Sequence, residues 1–302
     1  MDGIINIYKE SGYTSHDVVA KLRGILKTKK IGHTGTLDPM AEGVLPVCVG
    51  AATKLSEMFS DHDKVYEAGM ILGKSYDTLD ITGFITEERE VMSTKEDIMK
   101  AASSFVGGYE QTPPMYSAKK IDGKKLYDLA RRGEIVARKP VFVNIYSIDV
   151  LSVDIPHVRI LVHCGKGTYI RSLIDDLGSY LGCGAAMESL IRTRVGDFTV
   201  DNSYRLSDVE KAVKTDKISD VIIPLEAVFK SLDSFSAGPE MSRYVRNGNV
   251  LDGKSVRAAL GLESKPDEGY RIRVYDCGGK FTGVYEYKIS SDIFKPYKVF
   301  LS

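Results

Sequence analysis

Nothing in this 302-residue chain supplies a covalent or metal framework. Its four cysteines, Cys48, Cys164, Cys183 and Cys277, are widely scattered with no C-x-x-C pair, so neither a disulfide scaffold nor a zinc site is expected. The five histidines, His16, His33, His62, His157 and His163, also lack ligand spacing. No apolar run approaches the roughly 18 residues needed to cross a bilayer, and no basic-plus-apolar leader opens the chain. The expected location is therefore the cytoplasm, and the length suggests about two domains. Net charge is missing too: lysine plus arginine equals aspartate plus glutamate at 41 each. Taken alone, that balance argues weakly against a nucleic-acid binder, but the distribution of charge matters more than its sum.

The distribution is uneven. Residues 21–30 carry Lys21, Arg23, Lys27, Lys29 and Lys30 with no acid among them. Residues 119–139 carry eight basic residues, including Lys124, Lys125 and Arg131, against three acidic ones. Either run alone could be a solvated helix face. Together they flank a glycine-rich loop, an arrangement that favours a surface tracking phosphates.

That loop reads GHTGTLDPMAEGVLPV over residues 32–47. Pro39 biases Asp38 toward extended backbone, and Gly32, Gly35 and Gly43 let the chain pass close to a bulky ligand. The apolar GVLPVCVG that follows has the character of a buried strand, so Asp38 is expected on a flexible loop anchored to a sheet. A bare Leu-Asp-Pro tripeptide is more often an ordinary turn.

The wider sequence changes that balance. HTGTLDPMAEGVLPVCVGAATK resembles the catalytic signature of the TruB family, the bacterial tRNA pseudouridine-55 synthases. Three further stretches resemble the same family in the same order: SGYTSHDVV at 11–19, QTPPMYSAKKIDGKKLYDLAR at 111–131 and HCGKGTYIRSLIDDLGSYLGCGA at 163–185. One departure concerns the family's Lys-Pro-x-Gly, which is here Lys9, Glu10, Ser11, Gly12; without the proline the local turn is in question.

The resemblance implies roles. Asp38 matches the nucleophile, Arg171 the arginine that pairs with it, and Tyr66 the tyrosine that stacks on the target base and takes the proton from its carbon 5. Tyr169 and Leu190 match positions lining the uracil pocket. His33 matches a histidine that fills the space left when bases leave the loop stack. Each residue has a plainer reading as well: a surface ion pair for Arg171, core packing for Tyr66 and Leu190, a general base for His33. The implied reaction is isomerisation of the T-loop uridine at position 55 of tRNA after base flipping. It involves no net oxidation, so no cofactor or metal is expected. The T arm of tRNA is the expected partner, with no membrane, no obligatory protein partner and a monomeric enzyme. Lys21, Arg23, Lys27, Lys124, Lys125 and Arg131 are candidates for the RNA backbone.

Element signals fit an α+β chain: a pseudouridine synthase fold with a mixed, mainly antiparallel sheet flanked by helices. GIINIYK reads as an opening strand, and Ser15 as the cap of a helix with Val18, Val19, Leu22, Ile25 and Leu26 on one face. Residues 64–74 and two segments within 141–164 read as strands, and Leu173, Ile174, Leu177 and Leu181 as a helix ended by Gly182. Ser93 with Glu96, and Ser207 with Glu210, have capping-box spacing. The alternation in YRIRVYDCGGKFTGVYEYK predicts a hairpin. We expect a catalytic domain over 1–231, with a basic RNA-binding insertion near 111–139 that orders on RNA, and a small PUA-like β domain over 232–302.

Three rivals are distinguishable. An RNA-guided synthase of the dyskerin type needs partner proteins and a guide RNA. A tRNA-folding chaperone keeps its action without Asp38. A glycosidase or phosphotransferase using Asp38 with Glu42 lacks supporting sequence context.

Overall fold

A computed structural model describes residues 1–117, 119–121, 123–130, 132–134 and 136–300. Arg131 therefore lies outside the described residues. In chain order the main elements are β1 (Gly3–Lys9), α1 (Ser15–Leu26), β2 (Glu42–Val49), β3 (Lys64–Leu72), α2 (Lys95–Ser104), β4 (Gly107–Gln111), β5 (Val141–Asp154), β6 (His157–Cys164), α3 (Ile170–Tyr180), β7 (Ala185–Val195) and α4 (Leu206–Lys214). They are followed by β8 (Asp233–Ser236), α5 (Pro239–Arg246), α6 (Gly253–Leu260), β9 (Arg271–Tyr275), β10 (Phe281–Lys288) and β11 (Ile293–Val299).

The large sheet runs β1-β2-β7-β3-β6-β5-β4, with the short Ile223–Pro224 strand outside β1. Its pairings are antiparallel except between β7 and β2, where Ile191 lies opposite Glu42 and Arg192 opposite Gly43. The central strand β7 falls between Gly182 and Ser207, a stretch to which the sequence signals assign no element. Its pattern is weak because register shifts interrupt the alternation near Ser189 and Arg194.

The sheet is mixed and mainly antiparallel, as the sequence predicts, and the apolar faces lie where the periodicities place them. Val158, Ile160, Val162 and Cys164 on β6 are buried, as are Leu173, Ile174 and Leu177 on α3, and both sets join one core with Leu37, Tyr66 and Leu190. Helix α1 buries Val18, Val19 and Leu22 against a second core that includes Leu45 and Val47 of β2.

Cap positions shift by a residue or more from the sequence expectation. Thr14, not Ser15, caps α1, in a box with Asp17; Thr94 with Asp97 caps α2; Arg205 precedes α4, so Ser207 lies inside it. Ser15 is instead buried, and its hydroxyl accepts from the Leu37 amide at 2.9 Å.

A separate five-stranded sheet, with the Leu251–Asp252 strand at one edge, forms a C-terminal β domain. The predicted hairpin is β9–β10; Asp276 Oδ1 closes its turn by accepting from the amides of Gly278 and Lys280. This domain packs on the large sheet through Phe281 and Phe300, which stack with ring centroids 5.5 Å apart and both approach Phe229.

Candidate active site

The Asp38 loop leaves the strand Ile31–His33 and returns into β2. Contrary to the flexible loop expected from its glycines, it is fastened along its length. The Thr34 carbonyl accepts from Ser60 Oγ at 2.7 Å, and Leu37 is held by Ser15 and buried in the main core. The Ala41 amide donates to the Asp38 carbonyl at 3.1 Å, closing a tight turn through Pro39. The Pro39 carbonyl accepts from both Lys9 Nζ and the Gly12 amide at 3.0 Å. The turn placed in question by the missing proline thus forms, with Gly12 in the left-handed region at φ +87°.

Only Gly43 of the three loop glycines uses a positive φ, at +101°, and a Cβ there would sit 2.2 Å from the Arg192 carbonyl oxygen. That glycine permits the parallel approach between β2 and β7. The sequence marks the residue; the close strand is visible only in the fold.

Arg171, in the first turn of α3, points its buried guanidinium at Asp38, with an N–O separation of 2.9 Å. The same group reaches Asp80 at 3.5 Å and donates to the carbonyls of Thr78 at 3.1 Å and Tyr116 at 2.7 Å. Three segments, the Asp38 loop, the turn holding Thr78 and Asp80, and the Tyr116 segment, therefore converge on one planar fork carried by α3. Asp80 is a site residue that sequence reasoning passed over. Its only signal is the Asp-Thr-x-Asp turn, in which Asp80 accepts from Thr78 Oγ1 and the Thr82 amide.

Asp38, Tyr66, Tyr169, Arg171 and Leu190 all line a cavity of about 350 Å³, so the structure brings together five of the six predicted pocket residues. This is the size of an ordinary small-ligand pocket. Burial pushes the Asp38 carboxyl above its ordinary value and Asp80 adds to the rise, while Arg171 and Lys9 favour its charged form. Tyr66 is buried, and that burial raises its phenol, with Arg192 opposing. Gln111 clamps Tyr169: its Oε1 accepts from the Tyr169 amide at 2.8 Å and its Nε2 donates to the Tyr169 carbonyl at 3.0 Å.

His33 lies just outside the cavity lining, edge-on to His16 with ring centroids 5.4 Å apart. Burial lowers its imidazole to about 4, and its Nδ1 is buried without a hydrogen-bond partner. Near neutral pH it is an uncharged ring, better suited to filling space than to holding a proton. Glu42 does not line the cavity and accepts from the Tyr8 hydroxyl at 2.8 Å, so it is no second acid for Asp38.

Two buried cations also went unnoticed in the sequence. Lys64 lines the cavity, its Nζ donating to the carbonyls of Ser60 and His62, and burial lowers it to about 8. Arg192, 2 % exposed, donates to the carbonyls of Val44, Gly35 and Thr36. A basic residue two positions from Leu190 in a buried strand was its only signal.

The candidate backbone contacts are scattered. Lys21 donates to the Tyr13 hydroxyl and Arg23 to the Ile31 carbonyl, whereas Lys27 is exposed at the end of α1. In the basic insertion, strand Lys124–Lys125 pairs with Lys120–Ile121, and a short helix, Leu126–Ala130, buries Leu126 and Leu129. This insertion also supplies the Tyr116 carbonyl to Arg171.

The sheet and this cavity together define a pseudouridine synthase fold. Its overall course follows that of a chain in "Crystal Structure of a Cbf5-Nop10-Gar1 Complex", with a TM-score of 0.70 at 26 % identity over 99 % of this chain and 84 % of that one. Residues 23–170 match the profile described as "TruB family pseudouridylate synthase (N terminal domain)", and residues 171–230 match "tRNA pseudouridylate synthase B C-terminal domain". The chain is 49 % identical over 311 residues to the tRNA pseudouridine synthase B of Lachnoclostridium phytofermentans, covering all of both, and 39 % identical to that of Bacillus licheniformis, covering 99 % of this chain and 97 % of that one. The chain belongs to the TruB family of pseudouridylate synthases.

Proposed function

We propose that this protein isomerises the uridine at position 55 in the T loop of tRNA to pseudouridine, acting alone on the T arm as a cytoplasmic monomer. The observation that carries the reading is the Arg171–Asp38 pair, held at 2.9 Å in a cavity that also presents Tyr66 and Leu190. Asp38 is the nucleophile, kept ionised and aimed by Arg171. Tyr66 stacks on the extruded base and takes the carbon-5 proton, while Tyr169 and Leu190 retain the loose ring between bond breakage and rejoining. His33 fills the space the bases leave. The glycosidic bond breaks and a carbon–carbon bond replaces it with no net redox change, so the chemistry calls for no cofactor.

Lys21, Arg23, Lys27, Lys124, Lys125 and Arg131 are proposed to meet the phosphates. We take residues 1–231 as the catalytic domain and 232–302 as a PUA-like domain.

Whole-length identity to relatives named tRNA pseudouridine synthase B favours a stand-alone enzyme over an RNA-guided one. The test is incubation of the purified chain with a tRNA transcript and no guide RNA, followed by nucleotide-resolution mapping. Pseudouridine at position 55 is the expected result; none without added protein or guide RNA would reject the stand-alone reading.

A further inference from the structure

Arg192 and Tyr66 are direct cross-strand partners on β7 and β3, and Leu190 lies opposite Ala68 in the same ladder. Paired residues share a face of the sheet with their Cβ atoms about 5 Å apart. Arg192 and Tyr66 also line the same cavity, where the Arg192 charge opposes the burial-driven rise of the Tyr66 phenol. The Arg192 donors serve the Asp38 loop from both ends: Nε to the Val44 carbonyl at 2.7 Å, and the terminal nitrogens to Gly35 at 3.1 Å and Thr36 at 3.4 Å.

No carboxylate among the described residues lies within ion-pairing distance of this arginine, although it is only 2 % exposed. A buried guanidinium without a counterion is costly, and carbonyl dipoles offset only part of that cost. A purely structural staple does not require a permanent charge. The charge has a use if a negative charge forms beside it, and Tyr66 is the neighbour able to carry one.

We propose that Arg192 is a positioning residue for the proton-transfer step: it orients the Tyr66 oxygen toward the base, supplies the countercharge for the Tyr66 phenolate, and ties that oxygen to the loop carrying Asp38. This rests on the reading of Tyr66 as the base. The phenol first loses its proton to water. The phenolate oxygen then accepts the carbon-5 proton, and the C–H electron pair enters the ring to restore its 5,6 double bond. The other ionisable groups facing Tyr66 are Cys164 on β6 and Asp38 on the loop, with Lys64 further along β3; of the two cations Arg192 is the cross-strand partner of Tyr66, whereas Lys64 donates to the Ser60 and His62 carbonyls.

The test places 3-fluorotyrosine at position 66 and follows its ionisation by fluorine NMR across pH, with turnover of a tRNA transcript measured in parallel. In the otherwise unaltered protein, position 66, opposite Arg192, should ionise at lower pH than fluorotyrosine placed at Tyr109, whose hydroxyl donates to the Asp176 carboxylate. Arg192→Met should move the position-66 midpoint up by at least one pH unit, a tenfold change, and shift the alkaline rise of turnover by the same amount; Arg192→Lys should recover part of both. The proposal is overturned if position 66 ionises no more readily than position 109, or if Met and Lys variants leave the midpoint in place and change only thermal stability. If Arg192→Met does not fold, the unaltered protein and the lysine variant decide the matter. Should Tyr66→Phe retain full turnover while the midpoints behave as expected, the base assignment fails and the Arg192–Tyr66 coupling stands.

Discussion

The Arg171 guanidinium lies 2.9 Å from the Asp38 carboxylate, held there by two backbone carbonyls: Tyr116 accepts from the nitrogen that faces Asp38 and Thr78 from the other terminal nitrogen. The catalytic loop, the Asp80 turn, the basic insertion and helix α3 are thereby joined at one side chain. The RNA contacts proposed for the insertion would reach the Asp38 carboxylate through this joint.

Arg171→Lys keeps the charge and loses the fork. A single ammonium cannot serve Asp38, Asp80 and two carbonyls in one plane, so turnover should fall by about a hundredfold with tRNA affinity little changed. Single-turnover kinetics against a binding isotherm separates the two effects.

The acid limb of the pH profile follows from the same pair. Burial raises the Asp38 carboxyl, Arg171 opposes the rise, and only the ionised form is the nucleophile. Activity should therefore be lost on acidification at a pH above that of an ordinary aspartate. Arg171→Met, lacking the opposing charge, should move that limb higher still. A limb that stays in place or moves lower in the methionine variant contradicts the assignment.

Tyr66→Phe preserves the ring proposed to stack on the base and removes the oxygen proposed to accept the proton. Turnover should drop by at least about a hundredfold, with only modest loss of affinity. Wild-type turnover in this variant would assign proton abstraction elsewhere.

Much of this site is legible in the sequence because motif residues are local: Asp38, Tyr66 and Arg171 each sit in a recognisable short stretch. Arg192, Lys64 and Asp80 were not legible. Their importance comes from strand pairing and burial, which depend on β7 being central, and β7 is disguised by its register shifts. The misplacement of the α1 cap has a similar origin: Thr14 and Ser15 are both good caps locally, and only the Leu37 contact explains why Ser15 turns inward.

Gly43→Ala tests the packing around the site. The residue has φ +101° and a Cβ would meet the Arg192 backbone at 2.2 Å, so strain and clash act together. Stability to urea should fall by at least about 2 kcal/mol. Full stability would mean that β2 and β7 do not approach as described.

The basic insertion can be probed through salt. Each phosphate contact removed should lower the log-log slope of affinity against salt by about 0.7 to 0.9. Reversing Lys124 and Lys125 together should flatten the slope and leave turnover at saturating RNA intact. Equal slopes for wild type and the double variant would exclude this stretch from the phosphate surface.

The central claim is that Asp38 performs the isomerisation in a pocket built to receive the T-loop uridine. Its most direct test is the rate of pseudouridine formation in a T-arm stem-loop by purified Asp38→Asn at saturating enzyme, with binding measured on the same samples. The account predicts near-normal binding and turnover lower by about a thousandfold or more, because the amide fills the same space without the nucleophilic charge. Near-normal pseudouridine formation by the asparagine variant would contradict it.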